Sequence, residues 1–414
     1  MARLIISLAS AEFPLVKAPR PLRLRHEKYQ EQKLLCATFA PLASWREITT
    51  ALSLLNTLLI RIMIIKFDIS HFRGIRHLTI DGIRQLNIFL GYNNCGKSSV
   101  LEAMYLFCDP SHPVNEIQIN RARHYLKADA KSLQYIFYGL DVSTPITLDG
   151  DLDNGEKRSV EVRYYQKEQT ETDLDNLNLT SNNTNKTYGL QNVLRQTING
   201  QETTYSYRVE PNDDNSARTF TEKDKKGFDN LVSCGYMPPS SNPLNYIDSF
   251  KNIIENKETE NIVDALREIE PTLIGLNIID DQIMADIGQH KLIPIQLLGD
   301  GIRKLFSIII FIYQLRGGVA MIDEIDNGLH YKSMPTLWRT IISMAKVYNV
   351  QLFITTHNID SIKALSKVLG YEDADFRDDS NIYTLRKKAD GEVLAVRSTY
   401  EQLNYMVNQE MELR

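Results

Sequence analysis

Apolar residues after position 62 fall into short runs that predict strands. Residues 63–69 and 75–80 alternate between apolar and polar positions, which predicts strands with one buried face. Residues 85–90 form a short apolar run that predicts a buried strand, and the apolar runs at 319–323 and 350–356 predict central strands of a parallel sheet. Because the carboxyl ends of parallel strands share one edge of a sheet, we expect the residues that come after these three runs to meet.

Helical spacing appears beside these runs. Apolar positions in 98–107 and 333–346 repeat at helical intervals, and 245–270 predict an amphipathic helix or a pair of helices. Residues 305–315 are apolar on nearly every face, which predicts a buried helix that Gly317 ends. Strands and helices therefore alternate in the way that is typical of an α/β fold.

The middle of the chain predicts an antiparallel β region. Residues 143–165 and 203–210 alternate as strands do, with an Asp-Asn-Gly turn signal at 153–155. The polar tract 173–187 predicts a mobile hairpin loop, and the proline-containing stretch 238–243 predicts a linker.

Residues 1–62 differ in character from the rest of the chain. They mix prolines with basic clusters and show no clear phasing before about Trp45, whereas a strand pattern starts at Met63. Our hypothesis is that translation begins at Met63 and that 1–62 is an extension from a mis-assigned start. The alternative is a genuine helix near 45–60 that docks on a partner.

Charge and cysteine content narrow the class of protein. The net charge of −5 over 414 residues argues against a globally basic nucleic-acid binder. The four cysteines show no C-x-x-C spacing, which fits a reducing cytoplasm. The best apolar run, 51–65, is interrupted by Asn56 and Arg61 and is too short to cross a membrane.

A phosphate-binding loop lies between a predicted strand and a predicted helix. It reads Gly-Tyr-Asn-Asn-Cys-Gly-Lys-Ser from Gly91 to Ser98. Lys97 is expected to reach the β- and γ-phosphates of ATP, Ser98 to offer its hydroxyl to Mg²⁺, and the helix N-terminus to add partial positive charge. The residues predicted to hold the nucleotide here are Gly91, Asn93, Asn94, Gly96, Lys97, Ser98 and Ser99.

Two acids and a histidine come after the later strands. Asp323 is expected to hold Mg²⁺ and Glu324 to polarise the attacking water. His357 comes after the strand at 350–356, which favours a contact with the γ-phosphate, so the predicted catalytic residues are Lys97, Glu324 and His357. The alternatives are that the two acids are simply solvent-exposed at the end of a strand and that the histidine has a structural role.

A second glycine-containing loop, Leu-Gly-Asp-Gly-Ile-Arg-Lys at 298–304, precedes the predicted buried helix. Glycine-rich helix N-termini bind phosphate. The loop at 91–99, this second loop, the sequence AMIDEIDNGLH and the sequence ITTHNID occur in the order seen in ABC-type ATPases. Together they resemble the OLD and AAA15 group, which shares wider features with RecF and SMC proteins. The resemblance runs from Met63 to the end and is loose across 110–290.

The resemblance implies an α/β fold, that of an ABC-type P-loop ATPase with a mixed central sheet, an inserted antiparallel β region and a helical insertion. The implied division of the chain is an extension at 1–62, the first part of the ATPase core at 63–140, the β-rich insertion at 141–240, the helical insertion and strands at 241–290, and the second part of the core at 291–414.

The resemblance also implies a homo-oligomer, because in that group each signature loop completes the ATP site of a facing chain. Gly299, Asp300 and Gly301 would then contact the partner's γ-phosphate. Arg303 would replace the hydroxyl donor that transporter signatures carry, and residues 326–330 would form an interface loop. Gln118 is the one candidate for the glutamine of the family's Q-loop.

The group includes OLD nucleases, whose Toprim domain the stretch 358–414 is too short to hold. Residues 372–375 resemble an acidic metal pair, although a solvated loop is favoured. The chain therefore resembles the ATPase subunits of two-gene antiphage systems, notably the PARIS type and less closely Septu. This implies a cytoplasmic, antiviral ATPase with a separate nuclease effector and a phage-derived trigger protein, and without membrane contact.

Two other classes stay open. A RecF- or SMC-like DNA-repair clamp needs a basic DNA path, for which the cluster at 121–131 is the candidate and a solvated helix face the alternative. A transport ATPase is disfavoured by the signature sequence and by the inserted β and helical material.

Overall fold

The computed structural model describes residues 62–110, 115–125, 127–168, 186–212, 217–221, 232–239 and 246–409. These residues lie in one compact unit, Ile60–Arg414. The hypotheses about the first 61 residues, most of the predicted hairpin loop and most of the predicted linker fall outside the described residues.

The described strands in chain order are β1 (Ile64–Phe72), β2 (Ile75–Asp81), β3 (Leu86–Leu90), β4 (Ile146–Leu152), β5 (Lys157–Glu168), β6 (Lys186–Ile198), β7 (Gln201–Pro211), β8 (Ala217–Thr221), β9 (Cys234–Met237), β10 (Gly275–Ile279), β11 (Gln282–Asp286), β12 (Ile293–Pro294), β13 (Val319–Ile322), β14 (Gln351–Thr355), β15 (Ser380–Lys387) and β16 (Val393–Ser398). The described α-helices are α1 (Lys97–Cys108), α2 (Asn115–Ala122), α3 (Ala130–Gln134), α4 (Ile247–Glu255), α5 (Thr259–Arg267), α6 (Asp300–Gln314), α7 (Met334–Tyr348), α8 (Ile359–Tyr371) and α9 (Tyr400–Asn408).

A mixed sheet forms the centre of the molecule, with the order β16-β15-β3-β14-β13-β9. Its pairings are parallel except for the antiparallel pair of β15 and β16. Every residue of β3, β13 and β14 is buried, because apolar side chains cover both faces of these strands. The three continuous apolar runs were therefore predicted correctly as buried strands.

A second, antiparallel sheet has the order β2-β1-β4-β5-β6-β7-β8. Strand β1 pairs with both β2 and β4, so the inserted β region continues the sheet that the first hairpin starts. The predicted boundary between the ATPase core and the β-rich insertion, at residue 140, thus falls between strands of one sheet. Strand β6 was not predicted; its mixed composition hides a pairing with β5 that runs from Lys157↔Thr197 to Glu168↔Lys186.

Two hydrophobic cores lie on opposite faces of the mixed sheet. Phe89 and Phe353 belong to the core that contains helix α1 and the antiparallel sheet. Ile88 and Ile354, their strand neighbours, belong to the core that contains α4 to α9. This alternation places α1, which comes directly after β3, between the two sheets.

The helices of the second half of the chain also lie where the sequence predicts them. The predicted pair of amphipathic helices is α4 and α5, and the predicted buried helix is α6, which begins at Asp300. Gly317 adopts φ +68°, the left-handed conformation that glycine tolerates, just after α6 ends. Strands β10, β11 and β12 form a small antiparallel sheet that leads into α6. No described helix has the length and apolar character that a membrane span needs.

Candidate nucleotide-binding site

The loop between β3 and α1 turns tightly around its two glycines. Gly91 has φ +140° and Gly96 has φ +105°, conformations that other residues rarely adopt. A Cβ atom on Gly91 would lie 2.6 Å from the carbonyl oxygen of Leu385 and 2.7 Å from Sγ of Cys95. Glycine is therefore required at position 91 by both conformation and space.

Lys97, the first residue of α1, folds back over this loop. Its Nζ donates hydrogen bonds to the carbonyl oxygens of Gly91, at 2.7 Å, and Tyr92, at 3.0 Å. The side chain is buried, so its positive charge is held inside the loop next to the helix N-terminus. Charge and helix dipole then act in the same place, which suits an anion.

The acids lie at the same sheet edge as this loop. Strand β14 lies between β3 and β13 and runs parallel to both, so their carboxyl ends are neighbours. Asp323 comes directly after β13 and is buried, whereas Glu324 is half-buried with φ +46°. The structure thus brings the predicted acids and the predicted phosphate loop to one edge.

Asp323 is held from both sides by neutral hydroxyl groups. Thr355, at the end of β14, donates from Oγ1 to Oδ1 of Asp323 at 2.5 Å. The hydroxyl of Tyr236, on β9, donates to Oδ2 at 3.2 Å. Burial and then the charge of Asp323 raise the pKa of Tyr236, so the phenol keeps the proton that it donates. Thr355 Oγ1 also accepts from the backbone N–H of Glu324 at 2.8 Å, which ties the two acids together.

His357 comes after β14 and is exposed. It lines a small pocket together with Leu90, Gly91 and Thr356, so its side chain lies beside the start of the phosphate loop. The predicted convergence of Lys97, the acids and the histidine at one edge is therefore what the structure shows.

A network of two arginines and one glutamate lies next to the phosphate loop. Glu102, on α1, is fully buried and forms ion pairs with Arg73, at 2.6 Å, and Arg123, at 2.7 Å. Arg123 also donates to Oγ of Ser99 at 3.3 Å. Two cations around one buried carboxylate leave an excess of positive charge next to the loop, which favours phosphate. The basic residues of the cluster at 121–131 are exposed, as the solvated-face alternative expects, but the guanidinium of Arg123 also pairs with Glu102.

A cavity of about 320 Å³ opens next to the loop. Asn94, Gly96 and Ser99 line one side of it. Tyr125 and Tyr135, whose ring centroids are 4.7 Å apart, line another side. Aromatic walls beside a phosphate cradle suit the base and sugar of a nucleotide.

The glycine loop before α6 has other surroundings. Gly299 precedes α6, and Asp300 forms an ion pair with Arg303 within the same helix. Leu297, just before the loop, is 73% exposed. A Cβ on Gly301 would lie 3.4 Å from Leu329, so the start of α6 packs on the predicted interface loop. Residues 299–303 line neither of the two pockets beside the phosphate loop.

Gln118 is exposed on α2, and its Oε1 accepts a hydrogen bond from the hydroxyl of Tyr105 at 3.1 Å. It lines a cavity of about 230 Å³ that Tyr236 also lines. Tyr236 thus contacts Asp323 and also lines the Gln118 cavity. The assignment of Gln118 as the Q-loop glutamine stays a prediction.

The donor set suits Mg²⁺. Ser98 offers a hydroxyl and Asp323 a carboxylate, and hard oxygen atoms are the ligands that Mg²⁺ prefers. Across the described residues no group of three or more His, Cys, Asp and Glu side chains could hold a metal ion. Two protein oxygens then leave room for the phosphate oxygens and water that Mg²⁺ keeps in nucleotide sites.

The acidic stretch at 372–375 is engaged in ion pairs. Lys346 lies 2.7 Å from Asp373 and 3.0 Å from Asp375, and Arg339 lies 3.0 Å from Glu372. Glu372 and Asp375 are exposed, so the stretch is the solvated loop that was favoured, with surface ion pairs to basic side chains of α7.

Sequence reasoning missed three features of the site. Tyr236 lies in a four-residue strand that is too short to show a pattern. The pairing of Arg73 with Glu102 joins distant parts of the chain, which periodicity does not report. Glu102 itself gave a signal, since it is a charged residue among the apolar positions of α1.

Fold and site together define an α/β P-loop ATPase of the ABC type with a mixed central sheet, an antiparallel β region and a helical region. Residues 86–362 match the family described as "AAA domain, putative AbiEii toxin, Type IV TA system". This match covers well over half of the chain, and the chain belongs to that family.

Two individual proteins match this chain at low sequence identity. An ATP/GTP phosphatase of Helicobacter pylori is 26% identical over 377 residues, which cover 85% of this chain and 100% of that protein. An uncharacterised protein of Methanocaldococcus jannaschii is 26% identical over 227 residues, covering 52% of this chain and 90% of that protein.

Solved structures with partial similarity include two SMC heads. One is an SMC head bound to the C-winged helix domain of ScpA, with 12% identity, a TM-score of 0.44 and coverage of 82% of this chain and 98% of that chain. The other is the SMC head domain from Thermotoga maritima, with 13% identity, a TM-score of 0.36 and coverage of 81% and 98%.

Proposed function

We propose that the chain binds ATP with Mg²⁺, hydrolyses it slowly to ADP and phosphate, and thereby controls a separate effector. The observation that carries the proposal is the meeting of the phosphate loop, Asp323, Glu324 and His357 at one edge of the mixed sheet. Membership of an AAA-domain family supports it.

Each side chain would have a separate task. Lys97 and the loop N–H groups would bind the β- and γ-phosphates, while Ser98 and Asp323 would hold Mg²⁺. When bound, Mg²⁺ neutralises charge on the phosphate oxygens. Glu324 would orient and polarise the attacking water, and His357 would contact the γ-phosphate.

The second half of the site would come from another copy of the chain. Gly299, Asp300 and Gly301 lie at an exposed helix N-terminus, where backbone N–H groups can receive the partner's γ-phosphate. For Arg303 to help, its ion pair with Asp300 has to open. The proposed active form is therefore a homo-oligomer.

The effector would be a nuclease encoded separately, acting in cytoplasmic antiphage defence with a phage-derived trigger protein. The family description names a putative toxin of a toxin–antitoxin system, which supports a role in growth control or defence. The ion pairs at 372–375 also leave these acids engaged with basic side chains.

A DNA clamp of the RecF or SMC type is the alternative. Arg123, in the middle of the candidate DNA path, pairs with Glu102 and donates to Ser99, although its side chain stays 38% exposed. The net charge of −5 and this pairing together favour the controller over the clamp.

The test measures ATP turnover and nucleic-acid cleavage with the purified chain. We expect slow Mg²⁺-dependent ATP hydrolysis that DNA does not stimulate, and no cleavage of DNA or RNA with Mg²⁺ or Mn²⁺. Expression of the chain alone should not harm cells, whereas toxicity should need the neighbouring gene and an intact Glu324. Metal-dependent DNA cleavage that survives Glu324→Gln would overturn the proposal.

A further inference from the structure

We infer that Tyr236 is a positioning residue, which orients the carboxylate of Asp323 for the metal ion through a neutral hydrogen bond. The inference rests on the proposed function, since it concerns the metal site of the proposed ATPase. It adds a residue outside the motifs that the sequence predicts.

The strand order explains why a residue at position 236 can reach Asp323. Strand β9 is the edge neighbour of β13 and runs parallel to it, with Met321 opposite Tyr236 and Ile322 opposite Met237. The backbone N–H of Asp323 donates to the carbonyl oxygen of Met237 at 2.9 Å. This bond fixes the end of β13 against β9 and brings the phenol to Oδ2 of Asp323.

Two strands then control one carboxylate. The hydroxyl of Thr355 on β14 binds Oδ1 and the hydroxyl of Tyr236 on β9 binds Oδ2, so the carboxylate is restrained from both sides. Each carboxylate oxygen can accept two hydrogen bonds, which leaves lone pairs for a metal ion or its water. Loss of a group that orients a metal ligand in this way typically weakens metal binding by roughly 10- to 100-fold.

The chemical nature of the group that donates to Asp323 affects the charge at the metal site. A phenol hydroxyl restrains the carboxylate through a hydrogen bond and brings no positive charge, whereas an ammonium or guanidinium group would. The basic groups around Asp323 are engaged elsewhere. Lys304 donates to the carbonyl oxygen of Pro239 at 3.3 Å, and Arg123 is paired with Glu102. Burial lowers the pKa of Lys304, although the nearby acids oppose this effect.

Tyr105 offers a matched control. Its ring centroid is 6.3 Å from that of Tyr236, but its hydroxyl donates to Gln118 and not to Asp323. Removing either hydroxyl keeps the aromatic packing, and the two changes differ in whether the metal-binding carboxylate loses a donor.

The experiment compares Tyr236→Phe with Tyr105→Phe, each in an otherwise native chain and in the Glu324→Gln background. Mn²⁺ binding to the ATP-bound Glu324→Gln protein is measured by electron paramagnetic resonance, and the Mg²⁺ dependence of hydrolysis is measured with Glu324 intact. We expect Tyr236→Phe to weaken Mn²⁺ binding and raise the half-maximal Mg²⁺ concentration by roughly tenfold. Metal-free ATP affinity should stay within about twofold, and Tyr105→Phe should stay within about twofold in every measurement.

The outcomes separate the two proposals. Unchanged metal binding in Tyr236→Phe overturns the inference and leaves the proposed ATPase intact. Loss of metal-free ATP binding in the same variant would assign Tyr236 to folding and would also overturn it. A parent protein that binds neither ATP nor Mn²⁺ would remove the proposed function itself.

Discussion

The phosphate loop and the glycine loop before α6 differ in how far the chain itself completes them. Around the phosphate loop, Lys97 is anchored on two carbonyl oxygens and Asp323 on two hydroxyl groups. The glycine loop has an exposed Leu297 next to it, and its charged residues Asp300 and Arg303 form an ion pair with each other. Under the proposed function, the phosphate loop is one half of an ATP site and the exposed glycine loop is the half that a facing copy would use.

The largest effect is expected at the anchored half. Lys97→Ala removes the buried ammonium group next to the phosphates, so nucleotide affinity should fall by roughly 100-fold or more. Titration with a fluorescent ATP analogue measures this change. Lys291→Ala, at an exposed position away from the loop, serves as the control and should bind normally. Affinity within about threefold of the native chain would mean that the loop does not hold the phosphates as proposed.

The second prediction tests whether the outward half works in another chain. Lys97→Ala and Gly301→Glu should each abolish hydrolysis, because one loses the phosphate anchor and the other fills the glycine loop. Mixing them should restore part of the native turnover, because one of the two sites in each mixed dimer is intact.

The control for this mixture is each variant alone at the same total concentration. Failure to restore activity with both variants folded would favour a site built within one chain.

The difference between the two loops also shows what the sequence could reveal. The runs that became β3, β13 and β14 are apolar on both faces, so their burial and their shared edge were predictable. The positions of Lys97 and Asp323 could be inferred from that edge. Local pattern does not report which distant residues meet, and for this reason Tyr236 and the Arg73–Glu102 pair were missed.

The antiparallel sheet was likewise predictable from the sequence only in part. Strands β4, β5 and β7 alternate clearly, whereas β6 gains its strand structure from long pairings with β5 and β7. The pairing of β1 with β4, which makes the insertion part of the first sheet, is likewise a non-local contact.

The smallest effect on ATP turnover is expected from a buried acid outside the site, which instead affects the stability of the fold. Glu116 accepts a hydrogen bond from Nδ2 of Asn192 at 2.6 Å, and burial raises its pKa from 4.5 to about 7. Between these pH values the unfolded chain has released the proton and the folded chain keeps it. The free energy of unfolding therefore falls as pH rises through this window.

Because a glutamine side chain does not ionise, Glu116→Gln should remove this pH-dependent loss of stability. Urea denaturation should show a gain of roughly 3 kcal/mol at pH 8 and little change below pH 4.5. Glu202→Gln, at an exposed position on β7, is the control and should change neither value. A pH-independent effect of Glu116→Gln would show that burial does not hold this carboxyl group protonated.

The most direct test of the central claim is the mass of Glu324→Gln in solution with and without Mg²⁺ and ATP, measured by mass photometry. This change removes the proposed base but leaves Lys97 and Asp323 in place, so ATP should bind without being hydrolysed. The account predicts a monomer without nucleotide and a stable dimer with Mg²⁺ and ATP, and no dimer when Lys97→Ala is added. A protein that binds ATP tightly and remains monomeric would contradict the claim that the two loops complete one site across two chains.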